Sequence, residues 1–485
     1  MFETSFLLLL KYLVLNILIP FFPWLFFMWI FYGDKFRWLI LYLLSWFVWV
    51  WVVAFSLLNI QFVHFWIWIF EYFVILWLLL FIFLWKLLFK KQKIWSYLQT
   101  LKIKNMISFI KKSFLGLTVT EKIFAVIISI YSLYFVFISW IASFSLPTYW
   151  IDAFWNRNDS AYNIYMDWWI NLFWDESEIL WRWRVWYPIQ IWAYKALISK
   201  FVWWLNDIYF NMWQYLVFLF GLLFIFCITF EKTKDFFKSV LPIWLIISLP
   251  LVFFHSYEWY MDLPLIIYCV ISAWLFYQYL ESRDFDYLSL WFLFWFIASN
   301  IKNDWFVVFF PWLLLALFVV LCLNKNLKFT IKWFLKDNLN LWKSVWYFIY
   351  FLLPFLIVRL VGWLWFNQAG YVKSWIWFDD VIHWGMFRYF ETIFLRMDNY
   401  NLILIMLFLV VLSIFTKRWR NSNDKLFILA WLVMFLILIA VFLFTVDYRY
   451  FENQTTVNRV FTMCFIMVLA FAGFIFDGKF MKKSV

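Results

Sequence analysis

Runs of about 20 apolar residues recur along the whole of this 485-residue chain, and a run of that length has few places to go. About 20 residues of helix cross the ~30 Å hydrocarbon core of a bilayer. Inside that core only a helix or a closed barrel satisfies its own backbone hydrogen bonds. The runs fall near 6–31, 38–60, 62–89, 123–146, 208–230, 240–254, 263–281, 287–299, 305–323, 344–366, 399–416, 426–446 and 457–476. They predict an all-α polytopic membrane protein with about 13 transmembrane helices. Pro242 and Pro250 predict a broken or tilted helix in the 240–254 run. Composition agrees, at 67% hydrophobic and 14% charged, where a soluble domain is near half apolar and a quarter charged. The first run is too long for a signal peptide and lacks a small-residue cleavage site. Cys227, Cys269, Cys322 and Cys464 all sit in apolar runs, without disulfide-framework or metal-ligand spacing.

Tryptophan appears 41 times and glycine only 8 times, against a usual glycine share of ~7%. Abundant Phe, Ile, Lys and Asn suggest an AT-rich gene, which explains scarce glycine but should make tryptophan scarce too. A genetic code that reads UGA as glycine resolves the conflict, because an alternative translation prints Trp wherever UGA stands. Trp168-Trp169, Trp203-Trp204 and the Trp181–Trp186 stretch sit beside turn residues, where glycine's permissive backbone is useful. Many other tryptophans lie mid-span, whereas Trp prefers the membrane interface. The alternative is a truly Trp-rich chain, and 41 UGG codons would establish it. No tryptophan is therefore assigned a binding role.

Basic residues orient the runs. Lys90, Lys91, Lys93, Lys102, Lys104, Lys111, Lys112 and Lys122 fill the loop after the third run. Lys232, Lys234 and Lys238 follow the fifth, Lys325, Lys328, Lys332, Lys336 and Lys343 the ninth, and Lys417, Arg418, Arg420 and Lys425 the eleventh. Lys479, Lys482 and Lys483 end the sequence. Positive charge concentrates in cytoplasmic loops, and with one crossing per run these five regions alternate correctly. The net charge of +12 then marks orientation and lipid headgroup contact, not a nucleic-acid partner. The predicted organisation is a three-run N-terminal region with a basic cytoplasmic loop (1–122), a transmembrane region (123–476) and a cytoplasmic tail (477–485). The opposite, exoplasmic face receives a long loop at 147–207 and shorter ones at 255–262, 300–304, 367–398 and 447–456. The long loop suits amphipathic helices at the membrane surface.

Ionisable groups gather in those exoplasmic loops. Asp152, Arg157 and Asp159 open the long one, with Asp167 further on. His255, Glu258 and Asp262 occupy the next, Lys302 and Asp304 the third, and Asp447, Arg449, Glu452 and then Arg459 the last. Ionisable groups at a span's edge are costly unless they face a polar cavity, and they mark function by default. Each one alone is more simply a helix end in water; several on one face can line one cavity.

The order of these segments resembles the polytopic glycosyltransferases of the GT-C superfamily. Ile151-Asp152-Ala153-Phe154 is similar to that superfamily's early acidic residue in the first exoplasmic loop. Tyr187-Pro188 resembles its Tyr/His-Pro step, and Tyr260-Met261-Asp262-Leu263-Pro264-Leu265 its Tyr-x-Asp-Leu-Pro segment. Lys302-Asn303-Asp304-Trp305 becomes Lys-Asn-Asp-Gly after recoding, close to Lys-x-Glu-Gly. Thr456-Val457-Asn458-Arg459 resembles a late Ser/Thr-x-x-Arg segment. The likeness covers roughly 120–476, no one motif is specific, and adjacent paired acids are absent from the first loop. It implies a plasma-membrane, multi-pass hexosyltransferase, mannosyltransferase-like or aminoarabinose-transferase-like. Such an enzyme works at the exoplasmic face, with a polyprenyl-phosphate-linked sugar as donor and a glycan, lipid or protein as acceptor. Asp152 would be the catalytic base, with Asp159 or Asp167 as a second acid. Asp262, Lys302, Asp304 and Arg459 would bind substrate. No metal or cofactor is implied, and a divalent cation has no support in the sequence.

Two other classes stay open: a transporter or flippase of lipid-linked or small solutes, and an inactive relative of the same shape. A transporter should carry repeated halves, and no repeat is visible. Glu71 with His64, and the pair Asp379-Asp380, are weaker candidates. Asn158-Asp159-Ser160 and Asn453-Gln454-Thr455 match the short glycosylation acceptor pattern.

Overall fold

The computed structural model describes residues 6–20, 39–48, 103–145, 190–204, 206, 208–257, 261–282, 284–299, 301 and 455–475, with a few isolated residues besides. Every regular element among them is helical. Among the described residues, three helices are long and apolar enough to cross a membrane, or four if one bent pair counts as a span. Cys227, Cys269 and Cys464 are buried and form no disulfide among the described residues. The chain divides into two compact units, Met1–Val240 with Ser256–Tyr260, and Leu241–His255 with Met261–Val485.

The first unit holds α1 (Phe6–Pro20), α2 (Leu39–Val48), α3 (Ile103–Leu115) and α4 (Val119–Ser145). α5 (Gln190–Val202) and α6 (Met212–Thr233) follow. A capping box starts α4 four residues ahead of the apolar run at 123. The Glu121 amide donates to Thr118 Oγ1 at 3.3 Å, and the Thr118 amide donates to Glu121 Oε2 at 2.9 Å. Two donors otherwise orphaned at the helix start are thereby satisfied.

α3 and α6 meet at their basic ends. Ser113 Oγ donates to the Lys234 carbonyl at 3.0 Å and accepts from the Phe236 amide at 3.0 Å. Phe109 stands edge-on to Phe230, and Phe114 to Phe236. Lys111 and Lys112 of α3 therefore lie at the same end of this unit as Lys232 and Lys234. Asp235 caps the next helix by accepting from the Lys238 amide at 3.2 Å.

The C-terminus of α5 has an unusual residue for its backbone. The Trp203 amide donates to the Lys200 carbonyl and the Trp204 amide to the Ser199 carbonyl, at 3.1 and 3.3 Å. That double closure is a Schellman motif, and its left-handed position is usually glycine. Here Trp203 occupies it, at φ 63° and 74% exposed. Trp46 is the opposite case, buried against Phe220 with its indole N–H donating to the Asn16 carbonyl at 3.0 Å.

α7 (Phe236–Ile247) and α8 (Pro250–Tyr257) form the bent pair, with a 79° angle between them. Pro242 lies inside α7 and Pro250 opens α8. This is the break the two prolines predict, since proline removes a helical donor and clashes with the preceding turn.

The second unit is organised by α9 (Asp262–Ser282), whose residues are almost all buried. α9 packs on α10 (Phe285–Ser299) and on α11 (Thr455–Leu469), which a short α12 (Ala472–Ile475) follows. Tyr268 faces Phe294 and Phe276 faces Trp291, at 6.1 and 5.1 Å between ring centres. That order makes α9 and α10 antiparallel.

Candidate functional site

α6 spans about 33 Å from end to end at 1.5 Å per residue, so its amino end lies far from the lysines. Residues from four places converge there. Tyr12 of α1 shares a 3.0 Å hydrogen bond with Ser199 of α5 and donates to the Trp204 carbonyl at 2.6 Å. Its oxygen also accepts from the Asn206 amide at 3.3 Å. Asn16 Nδ2 donates to the Tyr12 carbonyl at 2.8 Å, and Asn16 Oδ1 accepts from the Tyr194 hydroxyl at 3.2 Å. Asn206 Oδ1 accepts from the Ile208 and Tyr209 amides, both at 3.0 Å, and shapes the entry to α6.

Two lysines of α5 belong to this end. Lys195 is 1% exposed, and its ammonium donates to Asn211 Oδ1 at 2.5 Å. A buried cation is tolerated only with such compensation. Lys200 lies with its ammonium 4.1 Å from the centre of the Tyr165 ring. Burial pushes the Lys200 ammonium down to about 8, while the ring face opposes that shift by favouring the cation. The sequence expectation for 147–207 was of amphipathic surface helices. α5 differs: Ile191, Tyr194, Lys195, Leu197 and Ser199 are all buried, because its polar side chains pair inward with α1 and Asn211. Apolar and polar patterning could not reveal this, since Lys195 and Ser199 read as solvent-facing.

Of the residues singled out in the sequence, Asp152, Asp159, Asp167, Lys302 and Asp304 lie outside the described residues, as do Glu71, His64, Asp379 and Asp380. Asp262 is described. It occupies the first turn of α9, 2% exposed. The turn is set by the Leu265 amide donating to the Met261 carbonyl at 3.0 Å. Pro264 fits this first turn because its missing N–H would have had no helical partner. The partial positive charge of a helix start favours a carboxylate there. His255, 5% exposed, ends the preceding stretch of the same unit.

The helix registers carry Asp262 toward two further segments. Antiparallel packing brings the start of α9 level with Ile301, which is buried and immediately precedes Lys302. Phe474 of α12 stacks on Tyr277 at 5.9 Å. Were α11 antiparallel to α9, it would lie beyond the end of α9 at Ser282 and could not pack along it, so the two run the same way. Asp262 and Arg459 each stand fifteen residues before those rings. With α12 continuing the line of α11 across the turn at 470–471, the helical turn holding Arg459 would come about level with Asp262. Among the described residues, no group of three or more His, Cys, Asp or Glu gathers to hold a metal ion.

No family model, curated protein or solved structure matches the chain. The described residues define a class: every regular element is helical, and some helices are long and apolar enough to cross a membrane.

Proposed function

We propose that the chain is an integral-membrane glycosyltransferase of the GT-C type, moving a sugar from a polyprenyl-phosphate carrier to an acceptor hydroxyl at the exoplasmic face. The observation that carries this is the ordered set of ionisable segments, containing Asp152, Asp262, Lys302 with Asp304, and Arg459, on loops that the lysine distribution assigns to one side. The common level of Asp262, Ile301 and the Arg459 turn in the second unit supports it.

In the reaction, the acceptor oxygen bonds to the anomeric carbon as the bond from that carbon to the carrier phosphate breaks. The electron pair leaves with the phosphate, and the acceptor's proton passes to a carboxylate. Asp152 is that general base, in keeping with the resemblance. Lys302 and Arg459 hold the phosphate as its charge develops, Arg459 through two parallel donors. Asp262 orients the substrate, and Asp304 binds beside Lys302. Asp159 and Asp167 are the reserve acids. The chemistry calls for no cofactor.

The test supplies purified protein in lipid with a labelled polyprenyl-phosphate sugar and a panel of glycan, lipid and protein acceptors. Transfer of label, or its slow release to water, supports the proposal. Movement of intact donor between leaflets without cleavage would favour a flippase instead. Neither cleavage nor movement would favour an inactive relative.

A further inference from the structure

We propose that α3 lies in the membrane plane and binds anionic phospholipid headgroups on the lysine-rich side. Residues 103, 106, 107, 110 and 114 give α3 an apolar stripe at helical spacing, and Lys111 and Lys112 lie off it. Part of the apolar surface is used by the protein, with Phe114 on Phe236 and Phe109 on Phe230. Elsewhere on α3, Ile107 is 58% and Leu115 60% exposed.

That open surface continues into α4. A three-residue turn, 116–118, separates the helices, and Val119, Ile123, Ile127 and Ile130 of α4 carry on an exposed apolar row. A row of this kind on a 27-residue apolar helix suits lipid chains. α3 is therefore hinged at the point where a lipid-facing helix reaches the headgroups.

Charge selects the occupant. Lys111, Lys112, Lys232 and Lys234 are exposed at this end of the unit, and Ser113 ties α3 to the carbonyl of Lys234. Three acids belong to this end, Glu121, Glu231 and Asp235, against Lys111, Lys112, Lys122, Lys232, Lys234 and Lys238, so the balance is basic. Glu121 closes the capping box of α4, while Asp235 caps α7 and lies 3.7 Å from the Lys238 ammonium. A basic helix with exposed apolar residues matches the interface of an anionic leaflet. This inference rests on the chain being a membrane protein, not on sugar transfer, so failure of the transferase assay leaves it standing.

The test uses the full chain in nanodiscs of phosphatidylcholine alone or mixed with phosphatidylglycerol. An Ile107→Cys variant carries a fluorophore, read with bromine-labelled lipid chains and with aqueous iodide as quenchers. Lipid quenching is expected to dominate in the mixed bilayer. Retention of phosphatidylglycerol over phosphatidylcholine is then measured by mass spectrometry. Lys111→Gln and Lys112→Gln should each lower it about fivefold, the factor that ~1 kcal/mol per basic residue implies. Ile107→Ser with Leu115→Ser should raise iodide quenching at a label on position 108 while leaving the lysines in place. Equal iodide quenching in both bilayers, shielding from both quenchers as under a protein partner, or unchanged lipid retention in both Gln variants would each overturn the proposal.

Discussion

Tyr12 and Ser199 stand 187 positions apart in the sequence and 3.0 Å apart in space. Their hydrogen bond, with the Tyr12 donation to the Trp204 carbonyl, ties α1 to the end of α5. Tyr12→Phe keeps the ring and leaves the Ser199 hydroxyl and the Trp204 carbonyl with a partner lost. The expected destabilisation is about 1–3 kcal/mol, the range for a buried polar group left unsatisfied. Unfolding of the purified variant in detergent measures it. A change below a few tenths would mean that water replaces the hydroxyl and that the cluster is open.

For catalysis the informative change is Asp152→Asn. The amide matches the carboxylate in size and cannot take a proton, so donor binding should persist while transfer falls by about 100- to 10,000-fold. Lys302→Ala and Arg459→Ala should weaken donor binding and rate together, since a phosphate contact exists before and during transfer. If Asp152→Asn kept a tenth or more of wild-type transfer, general-base loss of the usual size would be refuted and Asp159 or Asp262 would take its place as candidate.

Position 203 separates the two genetic readings. Holding a β-carbon in the left-handed region costs roughly 1–2 kcal/mol, and Trp203 sits there at φ 63°. Trp203→Gly should therefore stabilise the protein by about 1 kcal/mol. Mass spectrometry of the naturally expressed protein should find glycine at this position, and the gene should carry UGA there. A UGG codon and a tryptophan mass at 203 would refute recoding at this position.

Orientation is tested by cysteine labelling from outside intact cells. A cysteine at 160 should react and one at 104 should not, because the loop holding Lys104 is basic and the loop holding Asp159 is near charge balance. The reverse pattern would invert the topology and move the sugar-transfer proposal to the wrong face.

Helix existence was legible from apolar runs, because hydropathy reports directly on what a bilayer or a core demands. The runs at 123–146, 208–230 and 263–281 contain α4, α6 and α9 to within a few residues. The start of α4 moved to Val119 because a capping box, Thr118 to Glu121, extends a helix past its apolar stretch. The Pro242–Pro250 break was legible for a steric reason that acts within one turn. The cluster of Tyr12, Asn16, Lys195, Ser199 and Asn206 was not. Its members lie in separate segments and meet only through packing, and Lys195 taken alone looks like any charge in a polar loop. Asp262 was singled out from its place in an expected loop and from the likeness of residues 260–265 to a family segment, whereas its first-turn position and its level with Ile301 depend on capping and helix register.

The 79° bend between α7 and α8 sets a depth. With α7 upright, its 12 residues climb ~18 Å, and the inclined 8 residues of α8 add only ~2 Å. The pair therefore falls about 10 Å short of a ~30 Å hydrocarbon layer. On the proposed topology the 21 residues of α9 rise ~32 Å and cross in full, so Asp262 would stand at the membrane surface while the inclined α8 stays below it. A donor whose phosphate rides at the membrane surface would then meet Asp262 at its own level, and the chain length of the carrier would matter little.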